Sequence, residues 1–294
     1  EARTENTQRG LCSIHASERQ DTTRITKPPK SVRVITVLQI TDTHQFADSS
    51  GCLLGLNTEQ SLNVITEDVR RNHLPADLIL ATGDLVHDGT PAAYRRIFSH
   101  LENFGLPVYC LPGNHDEART LQRTLDKGTI KYTEHAHLGD WHFIFLDSTI
   151  EDSEGAHLTT AMLEMLERQL LANPDCHTLV CLHHQPIPMG SRWLDTMAVD
   201  NAAEFFAIID RYPQVRGILW GHVHQEYDGM HKGIKLMSSP STCIQFLPGS
   251  DDFAVDTANP GYRWLDLYPD GRIETGVERI AVLNGSIDMA SNGY

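Results

Sequence analysis

Residues 77–84 read DLILATGD, a run of apolar, strand-forming side chains that stops at a glycine and then at a carboxylate. An apolar run of this length without polar alternation suits a strand buried on both faces, the kind found in parallel sheets. Similar runs recur along the chain: VRVITVLQI (32–40), PVYCL (107–111), WHFIFL (141–146), HTLVCL (177–182) and VRGILW (215–220). Between them apolar residues return every three to four positions, as at Leu62, Ile65 and Val69, at Tyr94, Ile97, Phe98 and Leu101, and at Leu163, Leu166 and Leu170. That spacing predicts helices, with Thr159 as the cap of the third and Asp200 as the cap of a further one through 201–212. Strands alternating with helices predict an α/β layered fold. From Tyr227 onward the pattern changes to paired strands, 227–237 and 262–277, the second turning at Asp270-Gly271, so the C-terminal extension is expected to be β-rich.

The totals narrow the function. With 294 residues and 40% hydrophobic content the chain can bury a large core, and its formal charge of -15 disfavours nucleic acid and anionic membranes as partners. Its apolar runs fall far short of the roughly 18 residues that a membrane span requires. Six cysteines, Cys12, Cys52, Cys110, Cys176, Cys181 and Cys243, are scattered with none in a Cys-x-x-Cys pair, which fits a reducing cytoplasm. Residues 1–31 are polar and end near Pro28-Pro29; they are expected to form a disordered arm ahead of a domain at 32–283 and a tail at 284–294.

The chemistry collects just after five of the strands. There stand Thr41-Asp42-Thr43-His44, Thr82-Gly83-Asp84, Pro112-Gly113-Asn114-His115-Asp116, His183-His184 and Gly221-His222-Val223-His224. Ligands of α/β sheets bind beyond the carboxyl ends of the strands, so these loops are expected to converge. On extended backbone, residues two apart point the same way, which would pair Asp42 with His44 and His222 with His224. Each piece alone has a plainer reading: Asp84 as a helix cap, Asn114 as a turn residue, His183 as a satisfied core histidine. Independent capping and packing give no reason for all five sets to share one end of the strands.

Asp42, His44, Asp84, Asn114, His183, His222 and His224 offer nitrogen and oxygen donors and no thiolate. They are too many for one tetrahedral zinc but enough for two metals that share a carboxylate, with Asp84 as the expected bridge. Two divalent ions, two carboxylates and a bridging hydroxide would leave the site locally positive inside an acidic protein. Two metals about 3.5 to 4 Å apart suit displacement at phosphorus. His115 is surplus to the ligand set and is the candidate proton donor for the leaving group. Asp116 would either orient that imidazole or cap a helix over residues 117–125.

Taken together, Asp-x-His, Gly-Asp, Gly-Asn-His-Asp, His and Gly-His-x-His resemble the calcineurin-like metallophosphoesterase superfamily. The resemblance implies a four-layer α/β/β/α sandwich. It implies one metal on Asp42, His44, Asp84 and His224, and a second on Asp84, Asn114, His183 and His222, with His115 catalytic. His44, Asp84, Asn114, His115, His183 and His222 would also meet the substrate. Family members commonly read His-His-Pro-Pro with the first histidine as ligand, which selects His183 over His184; Gln185 departs from that pattern. The segments 184–201, 220–229, 240–256 and 260–271 are similar to bacterial class III cyclic AMP phosphodiesterases, and the resemblance runs from about Ser31 to Val282. It implies a metal-bridged hydroxide that hydrolyses 3′,5′-cyclic AMP to AMP, with two divalent or mixed-valence ions, iron or manganese first and zinc or cobalt compatible. The expected partner is thus a small cyclic nucleotide, with a homodimer as the assembly considered. Arg192, Trp193 and Asp195 would face the substrate. The alternative is a sister enzyme acting on glycerophosphodiesters or a broad range of diesters.

Overall fold

A computed structural model of the chain describes residues 33–280, 287–291 and 293, so the arm expected at 1–31, with Cys12, lies outside the described residues. Every apolar run singled out above forms a strand. We number the principal strands β1 (Ile35–Ile40), β2 (Leu78–Thr82), β3 (Val108–Leu111), β4 (Ile130–Tyr132), β5 (His135–Leu138), β6 (Trp141–Leu146), β7 (His177–Leu182), β8 (Val215–Trp220), β9 (Tyr227–His231), β10 (Ile234–Ser238), β11 (Gly261–Leu267) and β12 (Ile273–Arg279). They make two six-stranded sheets, β12-β11-β1-β2-β3-β4 and β9-β10-β8-β7-β6-β5. Strands β1, β2 and β3 run parallel in the first sheet, as do β6, β7 and β8 in the second. The predicted C-terminal hairpins are β9/β10 and β11/β12, and each extends a different sheet.

Three buried clusters stack between the layers. Helices α1 (Thr58–Asn72), α2 (Pro91–Glu102) and α3 (Ala118–Leu125) press Leu62, Ile65, Tyr94, Ile97 and Leu121 onto Leu38, Ile40, Ile79 and Val108 of the first sheet. Helices α4 (Thr160–Ala172), α5 (Arg192–Asp195) and α6 (Ala202–Ile209) press Leu166, Leu170, Leu194 and Phe205 onto Ile144, Val180 and Ile218 of the second. The inner faces meet through Val37, Leu80, Phe143, Leu179, Leu219 and Leu265. Both faces of each central strand are therefore covered, which explains their unbroken apolar character, and the layers are α/β/β/α. Among the described residues no helix is long and apolar enough to cross a membrane.

Thr159 caps α4 as predicted, accepting from Met162 N–H. Two other caps differ from expectation. Asn201, not Asp200, precedes α6, and Asp200 instead meets His157 Nδ1 at 2.6 Å. The amide of Asn201 is engaged by Leu158, donating to its carbonyl and accepting from its N–H, so the helix start is fixed by a contact 43 positions away. Likewise Glu117 rather than Asp116 caps α3, accepting from Arg119 N–H and Thr120 N–H.

Polar groups also join the two sheets. Gln39 of β1 donates to Thr82 Oγ1 at 2.7 Å within its own sheet and to the Trp220 carbonyl at 3.0 Å in the other. Arg263 of β11 is fully buried and reaches across to β9 and β10, donating to the Ser238 carbonyl at 2.7 Å, the Tyr227 carbonyl at 3.2 Å and both Asp228 oxygens at 3.0 and 3.1 Å. A planar fork suits this divergent set of acceptors, and a lysine could not match it. Arg263→Ala is expected to lower the unfolding free energy by about 3 kcal/mol, because it strands the buried Ser238 carbonyl and leaves a cavity where a large side chain was fully buried. Arg263→Lys should recover little of it. Urea unfolding midpoints of the two variants against the parent check this.

Candidate metal centre

Beyond the strand ends the backbone leaves the extended region sharply. Asp42, His44, Asp84, His222 and His224 have φ of 53°, 42°, 48°, 62° and 47°, the left-handed region that non-glycine residues avoid. The paired residues thus do not converge by strand alternation, as expected from their spacing, but because both members of each pair curl the chain. Such conformations cost of order 1–3 kcal/mol each and persist only where surroundings enforce them. Here hydrogen bonds between loops do so: Asp42 N–H donates to the Gly83 carbonyl at 3.0 Å, His44 N–H to the Asp84 carbonyl at 2.9 Å, and Gly221 N–H to the His183 carbonyl at 3.0 Å.

The side chains so aimed form one buried cluster at the seam between the sheets. Asp84 Oδ2 lies 3.3 Å from His183 Nε2 and 3.8 Å from His44 Nε2, so this carboxylate stands between two imidazoles from different sheets. Asp42 Oδ1 lies 3.4 Å from His224 Nε2 and 3.9 Å from His183 Nε2, and both its oxygens accept from His222 N–H at 3.1 Å. His44 Nε2 and His224 Nε2 are 3.3 Å apart. The Gly113–Asp116 turn completes the site: His115 N–H donates to Asp84 Oδ1 at 2.9 Å, with Asn114 beside it.

Tautomers follow from the outer partners. His183 Nδ1 faces the Thr82 carbonyl at 2.8 Å and His224 Nδ1 the Ile244 carbonyl at 2.9 Å. A carbonyl only accepts, so each Nδ1 carries a proton, and in the neutral ring each Nε2 turns a lone pair inward. Burial pushes His44 and His222 well below the ordinary histidine range, leaving neutral imidazoles. Burial also disfavours charge on His183, but Asp84 and Asp42 outweigh it and lift its pKa to about 9. A neutral His183 would aim a lone pair at the Asp84 oxygen, so a cation belongs between them, either a proton or a metal ion. The buried Asn114 Oδ1 and His222 Nε2 have no hydrogen-bond partner among the described residues. Stranded acceptors of this kind cost about 1–3 kcal/mol each and fit a divalent ion that takes nitrogen and oxygen donors.

His183 faces both carboxylates, whereas His184 Nδ1 lies 2.9 Å from Ser148 Oγ. Asp116 works differently from either expectation: Gly113 N–H, Leu85 N–H, Val86 N–H and Tyr94 O–H all donate to its carboxylate, tying the Asn114 turn to the loop that carries Asp84. Of the residues expected to face a substrate, Trp193 lines the adjoining cleft. Asp195 accepts from Met189 and Gly190 N–H, and Arg192 pairs with Asp252 at the surface.

Two neighbours escaped the sequence reading. His87 Nδ1 lies 3.4 Å from His44 Nδ1, and its ring stacks on His115 with centroids 5.0 Å apart. The signal was its place three residues after Asp84 in the same loop. Cys243 stands beside His44 and His224, but burial pushes its thiol up to about 12, so it remains a neutral packing group.

The calcineurin-like phosphoesterase family profile matches residues 35–226. The 3′,5′-cyclic adenosine monophosphate phosphodiesterase CpdA of Vibrio vulnificus is 42% identical over 261 residues, covering 88% of this chain and 95% of that protein. The protein of the same name from Pseudomonas aeruginosa is 38% identical over 271 residues, covering 92% and 99%. Among solved structures, a dimetal phosphatase from Danio rerio superposes with a TM-score of 0.57 at 12% identity, covering 84% of this chain and 99% of that one, a likeness of fold alone.

Gly113 is where the turn passes closest to the centre. A Cβ there would overlap Asp84 Oδ1 and fall 2.6 Å from His183 Nε2. Gly113→Ala should therefore leave the fold intact by circular dichroism and weaken divalent-ion binding by roughly tenfold or more, as displaced ligand supports do. Titration calorimetry of manganese(II) into the two proteins is the measurement.

Proposed function

The chain belongs to the calcineurin-like phosphoesterase family, and from that premise we propose that it hydrolyses 3′,5′-cyclic AMP to AMP at a centre of two divalent metal ions. The observation that carries the substrate reading is the cleft beside the centre. Asn114, His115 and His222 form its polar end, and Trp193, Phe246 and Phe253 its apolar wall. The Trp193 ring lies 5.0 Å from Phe246 and 5.2 Å from Phe253, centroid to centroid. A planar purine attached to a phosphodiester has both halves such a cleft would take, whereas a glycerophosphodiester offers nothing to the aromatic wall. The names of the bacterial relatives support the same substrate.

Asp42, His44, Asp84 and His224 would hold one ion, and Asp84, Asn114, His183 and His222 the other. Two such ions would supply positive charge for the phosphodiester and an activated water as nucleophile. The donor set suits iron or manganese, with zinc or cobalt compatible. The chain's own contribution is orientation and proton supply. The Thr82 and Ile244 carbonyls fix the rings of His183 and His224. The left-handed loops hold the carboxylates, and the phosphate would lie among His44, Asp84, Asn114, His115, His183 and His222. His115 projects from a turn anchored through its own N–H on Asp84 and lines the cleft. It would give a proton to the departing ribose oxygen.

A panel of 3′,5′-cyclic AMP, 3′,5′-cyclic GMP, 2′,3′-cyclic AMP and glycerophosphocholine, run with each reconstituted metal, should show preferred turnover of 3′,5′-cyclic AMP. Preference for glycerophosphocholine would replace the substrate reading and leave the family untouched. His115→Ala should keep the full complement of metal and lose about 10² to 10⁴ in kcat, whereas Asn114→Ala should lose metal. Elemental analysis beside steady-state kinetics separates the two.

A further inference from the structure

A second group of imidazoles stands at the opposite end of the second sheet. The hairpin of β5 and β6 pairs His137 directly with His142 and His135 with Ile144. His135 and His137 are two apart on one strand and therefore share a face, while Ala136 between them turns into the core between the sheets. His142 lies across from His137 on that same face, in line with Ile144. Its other neighbour in register is Thr178 of β7. Thr178 and His183 lie at opposite ends of that strand, five residues apart, so about 16 Å separates this group from the main centre at the usual rise per residue.

We propose that His135, His137 and His142 form a separate binding site for one divalent transition-metal ion of the zinc, nickel and copper class. One ring nitrogen from each of the three falls within 4.8 Å of the others. The His142 Nε2 to His135 Nδ1 separation is 3.4 Å. That is long for a hydrogen bond, which runs about 2.7–3.2 Å. Two nitrogens on one tetrahedral ion, each about 2.0–2.1 Å from it, lie about 3.3–3.4 Å apart. The main centre shows nearly the same spacing between His44 Nε2 and His224 Nε2, at 3.3 Å.

The rings of His135 and His142 are nearly perpendicular, at 87°. His137 lies flat on His142, with centroids 4.2 Å apart and planes within 5°. It is exposed on an edge strand, so a rotation of its ring off His142 meets open space and would bring its nitrogen to the ion. His142 is fully buried and fixed between two strands, and His135 is half-buried, which leaves an open side for entry and a fourth position for water. Imidazole donors without carboxylate or thiolate select borderline ions over magnesium or calcium. Three histidines that merely kept a sheet edge polar would not need one of them buried, nor this nitrogen spacing.

The test compares the full chain with His137→Ala and, separately, His135→Ala. All are equilibrated with zinc(II), dialysed and assayed for zinc per chain. The parent should hold one more equivalent than either variant. Copper(II) added to the manganese-loaded parent should give an electron paramagnetic resonance spectrum with nitrogen splittings that His137→Ala loses. Neither residue touches the phosphoesterase centre, so manganese-supported hydrolysis should be unchanged in both variants, which also reports that they are folded. Equal zinc content in parent and folded variants would overturn the proposal, as would a copper spectrum indifferent to both substitutions.

Discussion

A carboxylate buried between two sheets sets the terms for much of this structure. Asp84 is almost wholly withdrawn from water, at 2% exposure, and removing an ionised carboxylate from water costs several kcal/mol unless opposite charge and hydrogen bonds replace the solvent. Burial alone would favour its protonated form, yet the neighbouring imidazoles, His183 foremost, hold its pKa well below the usual range. Those imidazoles come from four-layer neighbours far apart in sequence. The seam has to close with near-atomic fit for the carboxylate to remain ionised, and a divalent cation satisfies the same requirement.

That constraint reaches into the backbone. Loops from three strands approach so closely that Gly83 and Gly113 have no room for a side chain next to His183 and Asp84. Five site residues accept left-handed conformations. The strain is offset by hydrogen bonds between loops and by Asp116, whose carboxylate gathers donors from two of them. Gln39 just beneath the centre and Arg263 farther along the seam bridge the sheets with directional bonds. An apolar seam alone would tolerate sliding, since dispersion and burial have no preferred register. Fixed polar links give the seam one alignment, which a metal centre whose donors come from both sheets requires.

The same arrangement reconciles an acidic protein with an anionic substrate. A net charge of -15 belongs to the whole surface, whereas a bound diester senses the local balance of imidazoles, two carboxylates and the ions they would hold. In the proposed reaction the aromatic wall of Trp193, Phe246 and Phe253 would add an attraction that does not depend on charge. Affinity and reactivity can then be supplied by different sides of one cleft.

The fold class, the strands and the identities of the clustered donors were legible in the sequence because they depend on local period and composition: β2 is apolar throughout, and five polar motifs follow five such runs. Thr159 could be recognised as a cap for the same reason, since its partner is three residues away. What could not be read were choices made by distant partners. Asp116 resembles a cap or an orienting acid until the loop at Leu85 comes to it from 31 positions away. His183 is set in its tautomer by a carbonyl 101 positions earlier, and Arg263 finds its role only when β9 and β10 are laid against it. His87 at the main centre and the His135, His137 and His142 group were ordinary polar residues in the chain. Donor chemistry belongs to the residue and is fixed by sequence alone; convergence belongs to packing between sheets, and only the tertiary structure decides it.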